Sequence, residues 1–327
     1  MHRHQLDRRL VLGGMIGTAT LGLTGVAMAF PERPITIIVP YAPGSTDNFA
    51  RALGTDLEPL IGQKFVVETK PGAGGVVGAQ FVAKSSRADG HTLLFATSAP
   101  LSVAPHQNDL VYQPSDLRPV ARIGLGPNVL GARVDAPFKD LKGLVAYAKA
   151  NPGKVTFGSA GIGSSTHLAG EAFADAAGIE LLHVPYPGVT PAVAATMGGQ
   201  IDLTIGFAQA LIPPAKAGRM VPIAQFGSKR AKILPDVPTF MENGVSFTMD
   251  TLVGIWAPKD TPDAVVAQLA SAIEKAANGQ SVQSFAQNTM TEVAFAGPEA
   301  FGKEVEAESK VMKPLLDRLK LSKSTAK

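Results

Sequence analysis

The sequence predicts an α/β fold in two lobes, and three observations carry that expectation. Strand-like and helix-like segments alternate along most of the chain, as an α/β architecture requires. The 327 residues leave room for two ordinary domains, and a hydrophobic content of 45% supports real cores. Two strand–loop–helix junctions rich in glycine and hydroxyl residues, at residues 34–53 and 155–170, stand far apart in the chain. In such a junction glycine lets the backbone approach a guest, and the first N–H groups of the helix have no internal partner. Both features attract a carboxylate or phosphate. Two lobes, each presenting one junction, can close on a small anion.

Residues 1–29 read as an export signal. Arg3, Arg8 and Arg9 make a basic start, residues 10–26 form a soft apolar run, and Ala27-Met28-Ala29 fits a small-x-small cleavage site. Asp7-Arg8-Arg9-Leu10 also resembles a twin-arginine signal. A retained anchor is the competing reading, but the run is short for a span and rich in glycine. The signal holds three of the 30 Lys+Arg and one of the 27 Asp+Glu, so the remainder has 27 basic and 26 acidic residues, net +1. That balance and the lack of a basic run speak against nucleic acid as a partner. With no cysteine, disulfides, thiol catalysis, cysteine-based metal sites and a lipid-modified N-terminal cysteine are excluded.

From the start of the first lobe, residues 34–40 suit a buried strand and Phe49 to Leu53 a helix. Residues 65–68 and 92–96 read as further strands. The loop at 70–75 is not a phosphate-binding loop, since no Lys-Ser or Lys-Thr follows its glycines; it lets the helix at 76–84 pack tightly on the sheet. The chain crosses to a second lobe around 123–137. There residues 141–150 make a helix, 155–157 a strand, and Ser165 opens a helix whose Leu168, Ala169, Ala172, Phe173 and Ala176 share one face. Strands at 181–184, 201–207 and 221–226 and a helix at 192–197 follow. Residues 251–257 carry the chain back, leaving helices at 262–278 and 298–319 on the first lobe and a fraying tail from Ser322. The expected division is lobe 1 at 30–125 plus 252–327, and lobe 2 at 126–251.

The segments PITIIVPYAPGSTDNFAR, VVETKPGAGGVVGAQFVAK, DGHTLLFATS, GSAGIGSSTHLAGEAF, HVPYPGVTPAV, GGQIDL and LPDVPTFMENG occur in the order seen in one family. The chain resembles the extracytoplasmic solute receptors of tripartite tricarboxylate transporters, the Bug-type proteins, from about residue 31 to 297. The resemblance implies a type II periplasmic-binding-protein fold with its ligand in the cleft between lobes. It also implies a periplasmic, non-enzymatic and monomeric receptor without cofactor or metal, which passes a small organic carboxylate to permease subunits in the membrane. Family members take tricarboxylates, dicarboxylates, acidic amino acids or aromatic acids, held by backbone N–H groups and bridging waters.

Carried over by position, the resemblance puts the first-lobe loop at Tyr41, Pro43, Gly44, Ser45, Thr46 and Asp47, with Thr97 and Ser98 beside it. The second-lobe loop comprises Ser159, Ala160, Gly161, Gly163, Ser164 and His167, with Tyr186, Phe207 and Ala208 lining that lobe. Three departures bear on the ligand. The loop around Gly44 is one residue shorter than the common form. Pro187 stands where a basic residue often follows the Pro-Tyr pair. Leu252 stands where many members have Trp, with Trp256 where Phe is usual.

Individual residues carry competing readings. Asp47 either contacts a ligand amine or caps its own helix. His167 either bonds a carboxylate or packs, and Tyr186 is either a pocket wall or packed on the sheet. Ser164 and His167 mimic part of a hydrolase pair, but a triad also needs an orienting acid and an oxyanion hole, and no G-x-S-x-G elbow is present. An exported serine hydrolase and a ligand sensor for a signalling partner are the alternatives. His91, His106, His167 and His183 lie at no metal-ligand spacing, and the dinucleotide fingerprint is missing.

Overall fold

The structure, a computed structural model, describes residues 30–323. The expected export signal and the tail from Ser324 lie outside the described residues. In β1 (Ile35–Val39) the side chains of Ile35, Ile37, Ile38 and Val39 are fully buried, as suits a β-branched strand covered on both faces. Next come α1 (Ser45–Ile61), β2 (Phe65–Thr69), α2 (Val76–Ser85), β3 (Thr92–Thr97) and two single turns of helix, α3 (Ala99–Ser102) and α4 (Ala104–Gln107). β4 (Leu117–Gly126) ends this run, and β5 (Asn128–Arg133) begins the next after Pro127 alone.

The second run is α5 (Leu141–Ala150), β6 (Thr156–Ser159), α6 (Ser165–Ala177), β7 (Leu182–Pro185), α7 (Val189–Met197), β8 (Leu203–Phe207), α8 (Ala208–Lys216) and β9 (Met220–Gln225). β10 (Thr251–Pro258), α9 (Asp263–Ala276), α10 (Gln280–Thr289), β11 (Glu292–Ala296) and α11 (Pro298–Arg318) complete the chain.

The strands form two sheets. The six-stranded sheet runs β11-β4-β10-β3-β1-β2, and the five-stranded sheet runs β7-β6-β8-β5-β9. β1 pairs parallel with β2 and β3, while β10 enters antiparallel between β3 and β4. In the second sheet β6 is parallel to β7 and β8, and β5 is antiparallel to β8 and β9. The chain thus passes between sheets at Pro127 and returns at Thr251. One side chain spans both passages: Asn128 Nδ2 donates to Met249 O and to Thr251 Oγ1, each at 3.3 Å.

Each sheet has its own core. Trp256 packs on Phe301 in the first, with ring centroids 4.7 Å apart. Phe157, Phe173, Phe226 and Phe240 are fully buried in the second, each worth about 1.5–3 kcal/mol of transfer from water. Gly170 lets α6 lie directly on β6: a Cβ there would stand 2.3 Å from Phe157 Cε2. The final helix joins both cores. Phe301 near its start meets Trp256, whereas Met312, Leu315 and Leu316 near its end belong to the cluster around Phe157. The sequence expectation confined this helix to the first lobe. Apolar spacing shows that a helix has a buried face, but not which core receives each end of it.

Candidate functional site

The second-sheet junction forms as its sequence predicts, with β6 ending at Ser159 and α6 starting at Ser165. Ser164 is the N-cap, and its Oγ accepts from His167 N–H at 3.2 Å. Gly161, at φ 112, turns the loop in a conformation that a side chain would strain. Much of the expected backbone cradle is bonded internally. Ala160 N–H donates to Thr166 Oγ1, Gly161 N–H to Ser159 Oγ, and Gly163 N–H to His167 Nδ1. Ser165, in the first turn of α6, lines the larger cavity beside Gly163 and Ser164.

The first-sheet junction is more open. Gly44 caps α1 with no side-chain bond, and the first N–H groups of a helix have no partner within it. Asp47 does not cap the helix, in contrast to one of its two expected roles. It lies buried inside the first turn and pairs with Arg51 one turn later, at 3.1 Å. Gly44 has extended backbone, with φ 170, and room for a Cβ.

Two adjoining cavities bring the junctions together. One, of about 290 Å³, is lined by Tyr41, Thr97, Ser98, Gly163, Ser164 and Phe207, among others. The other, of about 110 Å³, is lined by Ser45, Thr46, Thr97, Phe207 and Ala208 with Phe285 and Thr289. Thr97, Phe207 and Thr251 border both. Tyr41 hydroxyl and Thr97 Oγ1 share a hydrogen bond of 2.6 Å, and burial pushes the Tyr41 hydroxyl up from its ordinary pKa.

Other expected site residues line neither cavity. Pro43 and Gly44 are exposed. Ser159 and His167 are buried and serve the loop itself, and Ala160 and Gly161 belong to the same internal network. Tyr186 packs near Gly158, with its N–H on Ser159 O. Ser164 Oγ takes the backbone N–H of His167, while the His167 ring takes that of Gly163. Ser164 and His167 therefore do not form the hydroxyl–imidazole pair that nucleophilic chemistry would need.

Several wall residues escaped the sequence reading: Ala73, Gly74, Gln107, Asn128, Asp250 and Glu308 line the larger cavity. The 70–75 loop reaches it because Gly75, at φ 99, sits where a Cβ would meet Pro100 and the Tyr41 ring. No Lys, Arg or His lines either cavity among the described residues. An anion here would be held by helix starts and hydroxyls rather than by a counter-charge.

Comparison with known proteins bears on the family and the fold. The model of the tripartite tricarboxylate transporter family receptor matches residues 49–321. The chain belongs to this receptor family. It is 35% identical to a UPF0065 protein of a Pseudomonas species, covering 97% of this chain and 96% of that protein. It is 36% identical to protein BugT of Bordetella pertussis, covering 86% and 88% respectively. Among solved structures it is similar to a periplasmic transporter, with TM-score 0.72, 35% identity and coverage of 90% and 99%. A Rhodopseudomonas palustris protein solved with adipate gives TM-score 0.70, 29% identity and coverage of 88% and 97%. MatC of the same organism, solved with bound malate, gives 0.68, 28%, and coverage of 88% and 100%. The fold of this tripartite-family receptor is accordingly the α/β solute-binding fold, with two lobes about a cleft. The family and the fold are those of substrate-binding receptors, not of enzymes.

Proposed function

We propose that the protein is a periplasmic receptor that captures a small organic carboxylate between its lobes. It then hands the ligand to membrane permease subunits of a tripartite transporter. One observation carries this reading: the starts of α1 and α6, contributed by different sheets, face two cavities that share Thr97, Phe207 and Thr251. Helix starts stabilise a carboxylate through unpartnered N–H groups and the helix dipole. Adipate and malate in the two palustris relatives support the ligand class.

In this reading Ser45, Thr46, Thr97, Ser98, Gly163, Ser164 and Phe207 touch the ligand, while Ser159, Gly161 and His167 hold the loop in shape. The lobes divide near residues 125 and 252, which the strand passages at Pro127 and Thr251 support. The chain acts as a monomer and meets its permease transiently. The basic, apolar segment at residues 1–29 directs export as a cleaved signal.

A thermal-shift screen tests the proposal, using di-, tri- and aromatic carboxylates together with amino-carboxylates. A ligand that binds only the folded state adds about 2.7 kcal/mol at a hundred times its Kd, enough to raise Tm by several degrees. Silence across the panel, with calorimetry equally silent, rejects the receptor reading.

A further inference from the structure

The wall of the larger cavity has a feature that capture of a carboxylate does not explain. Asn128 is 2% exposed and lines that cavity. Its Nδ2 is committed to Met249 O and Thr251 Oγ1, and its Oδ1 is buried with no hydrogen-bond partner. The bond to Met249 O fixes the amide orientation, because a carbonyl oxygen accepts only from the NH2 side. Glu308 lines the same cavity; Ser98 and Ser102 bond its carboxyl, which burial pushes above its ordinary pKa, while its Oε2 is buried without a partner. Asp250, next to the residues that hold Asn128, is a third wall residue carrying acceptors. Buried acceptors without donors are uncommon and costly.

The charge balance points the same way. The cavity holds two carboxyl side chains and no base. A polycarboxylate would bring further negative charge beside them in a poorly hydrated space, where unpaired like charges are expensive. A carboxylate at the α6 start and a cation against this acceptor wall would satisfy both ends. Burial, with Glu292 and Glu304 nearby, pushes Asp250 up to about 7 against the pull of Arg122. This is the state of a buried acid with too little counter-charge beside it.

We propose that Asn128, Asp250 and Glu308 form a subsite for a cationic hydrogen-bond donor such as an ammonium. The ligand is then an amino-carboxylate of no net charge rather than a di- or tricarboxylate. This rests on the cleft reading above and specifies which carboxylates it favours.

The test is calorimetry at about pH 7.5 with 6-aminohexanoate and adipate, which have equal chain length and differ in one terminal charge. The wild type should bind 6-aminohexanoate at least about tenfold more tightly than adipate. Glu308→Gln and Asp250→Asn, with folding checked by circular dichroism, should each weaken 6-aminohexanoate about tenfold and leave adipate unchanged or tighter. Two substitutions that nearly preserve shape keep the test valid if one fails to fold. Preference for adipate, or full binding of 6-aminohexanoate by both variants, overturns the subsite and leaves the carboxylate receptor standing. Failure of both probes also overturns it; the wider acid screen then decides the receptor reading separately.

Discussion

The imidazole rings of His167 and His183 stack with centroids 3.9 Å apart and 24° between their planes. Each ring also holds the loop ahead of α6. His183 Nε2 bonds Ser159 Oγ at 2.7 Å, and His167 Nδ1 accepts Gly163 N–H at 3.0 Å. Protonating Nδ1 of His167 would forfeit its bond, and two charged rings at this distance would repel. Burial first, and the facing His167 second, push His183 down to about 4; burial also lowers His167.

An acid-sensitive loop follows. Both imidazoles have folded values below the ordinary 6.5, so the unfolded chain binds more protons as pH falls through that value. The stability they allow is complete above it and is lost progressively toward about 4. Melting curves at about pH 7 and pH 4.5 should show a smaller acid loss for His183→Gln than for the wild type. Equal losses would assign the acid sensitivity elsewhere.

The loop network also sets how binding energy is distributed. Ser164→Ala removes the cap of α6, which costs about 1 kcal/mol of stability, and at most one ligand hydrogen bond of about 0.5–1.5 kcal/mol. Thr46→Ala should cost a similar amount of affinity. Gly161→Val forces a β-branched side chain onto φ 112, with Tyr186 O 3.4 Å from its Cβ, and should displace the Gly163–Ser165 segment. Its affinity loss should far exceed that of either alanine variant. Gly44→Val, at an extended and roomy position, should behave more mildly than the sequence alone suggests. Calorimetry with any ligand from the screen ranks the four variants. The mechanism fails if the alanine variants abolish binding and Gly161→Val does not.

The legible parts of the molecule were those whose signal is local. The β-branched run of β1 and the start of α6 at Ser165 are written in adjacent residues, and the order of the motif segments marked the family. Distant partnership was not legible. Asn128 reads as a residue in a crossing segment, and only the folded chain sets it between Met249 and Thr251. Glu308 sits on a strongly charged helix and reads as a solvated residue until the end of α11 turns into the second core. α8 was hidden by Pro213 and Pro214, which lie inside it and read as breakers. Ser159 and His167 were placed in the right loop, but their position could not show that they bond the loop itself.

Packing of α6 on β6 offers a test that is independent of ligand. An added Cβ at Gly170 would meet Phe157 at 2.3 and 2.7 Å and Ile205 Cδ1 at 2.9 Å, all in the second core. Those rings and methyls are fully buried, so they cannot swing into solvent. Gly170→Ala should destabilise by about 1–3 kcal/mol through overpacking, despite the better helix propensity of alanine. A denaturant midpoint equal to the wild type's would show that the helix can lift at no cost.

Asp250 should act on stability with the opposite sign to the histidine pair. Burial, followed by Glu292, raises its pKa to about 7, with Glu304 adding and Arg122 opposing. The folded chain therefore holds a proton that the unfolded chain releases between the ordinary 3.8 and about 7. This contribution to stability is complete below that window, falls as pH rises through it, and levels off above about 7. Asp250→Asn keeps the shape without the titration, so its stability relative to the wild type should rise across the same window, by on the order of 2–4 kcal/mol. Denaturant unfolding of both proteins at about pH 5 and pH 8 reads the difference directly. A cation seated beside Asp250 would favour its ionised form and draw its pKa down. Saturating 6-aminohexanoate should consequently stabilise the wild type more at the higher pH than at the lower, while Asp250→Asn should show no such trend. A parallel pH response in the two proteins would mean that Asp250 is already ionised in the folded chain.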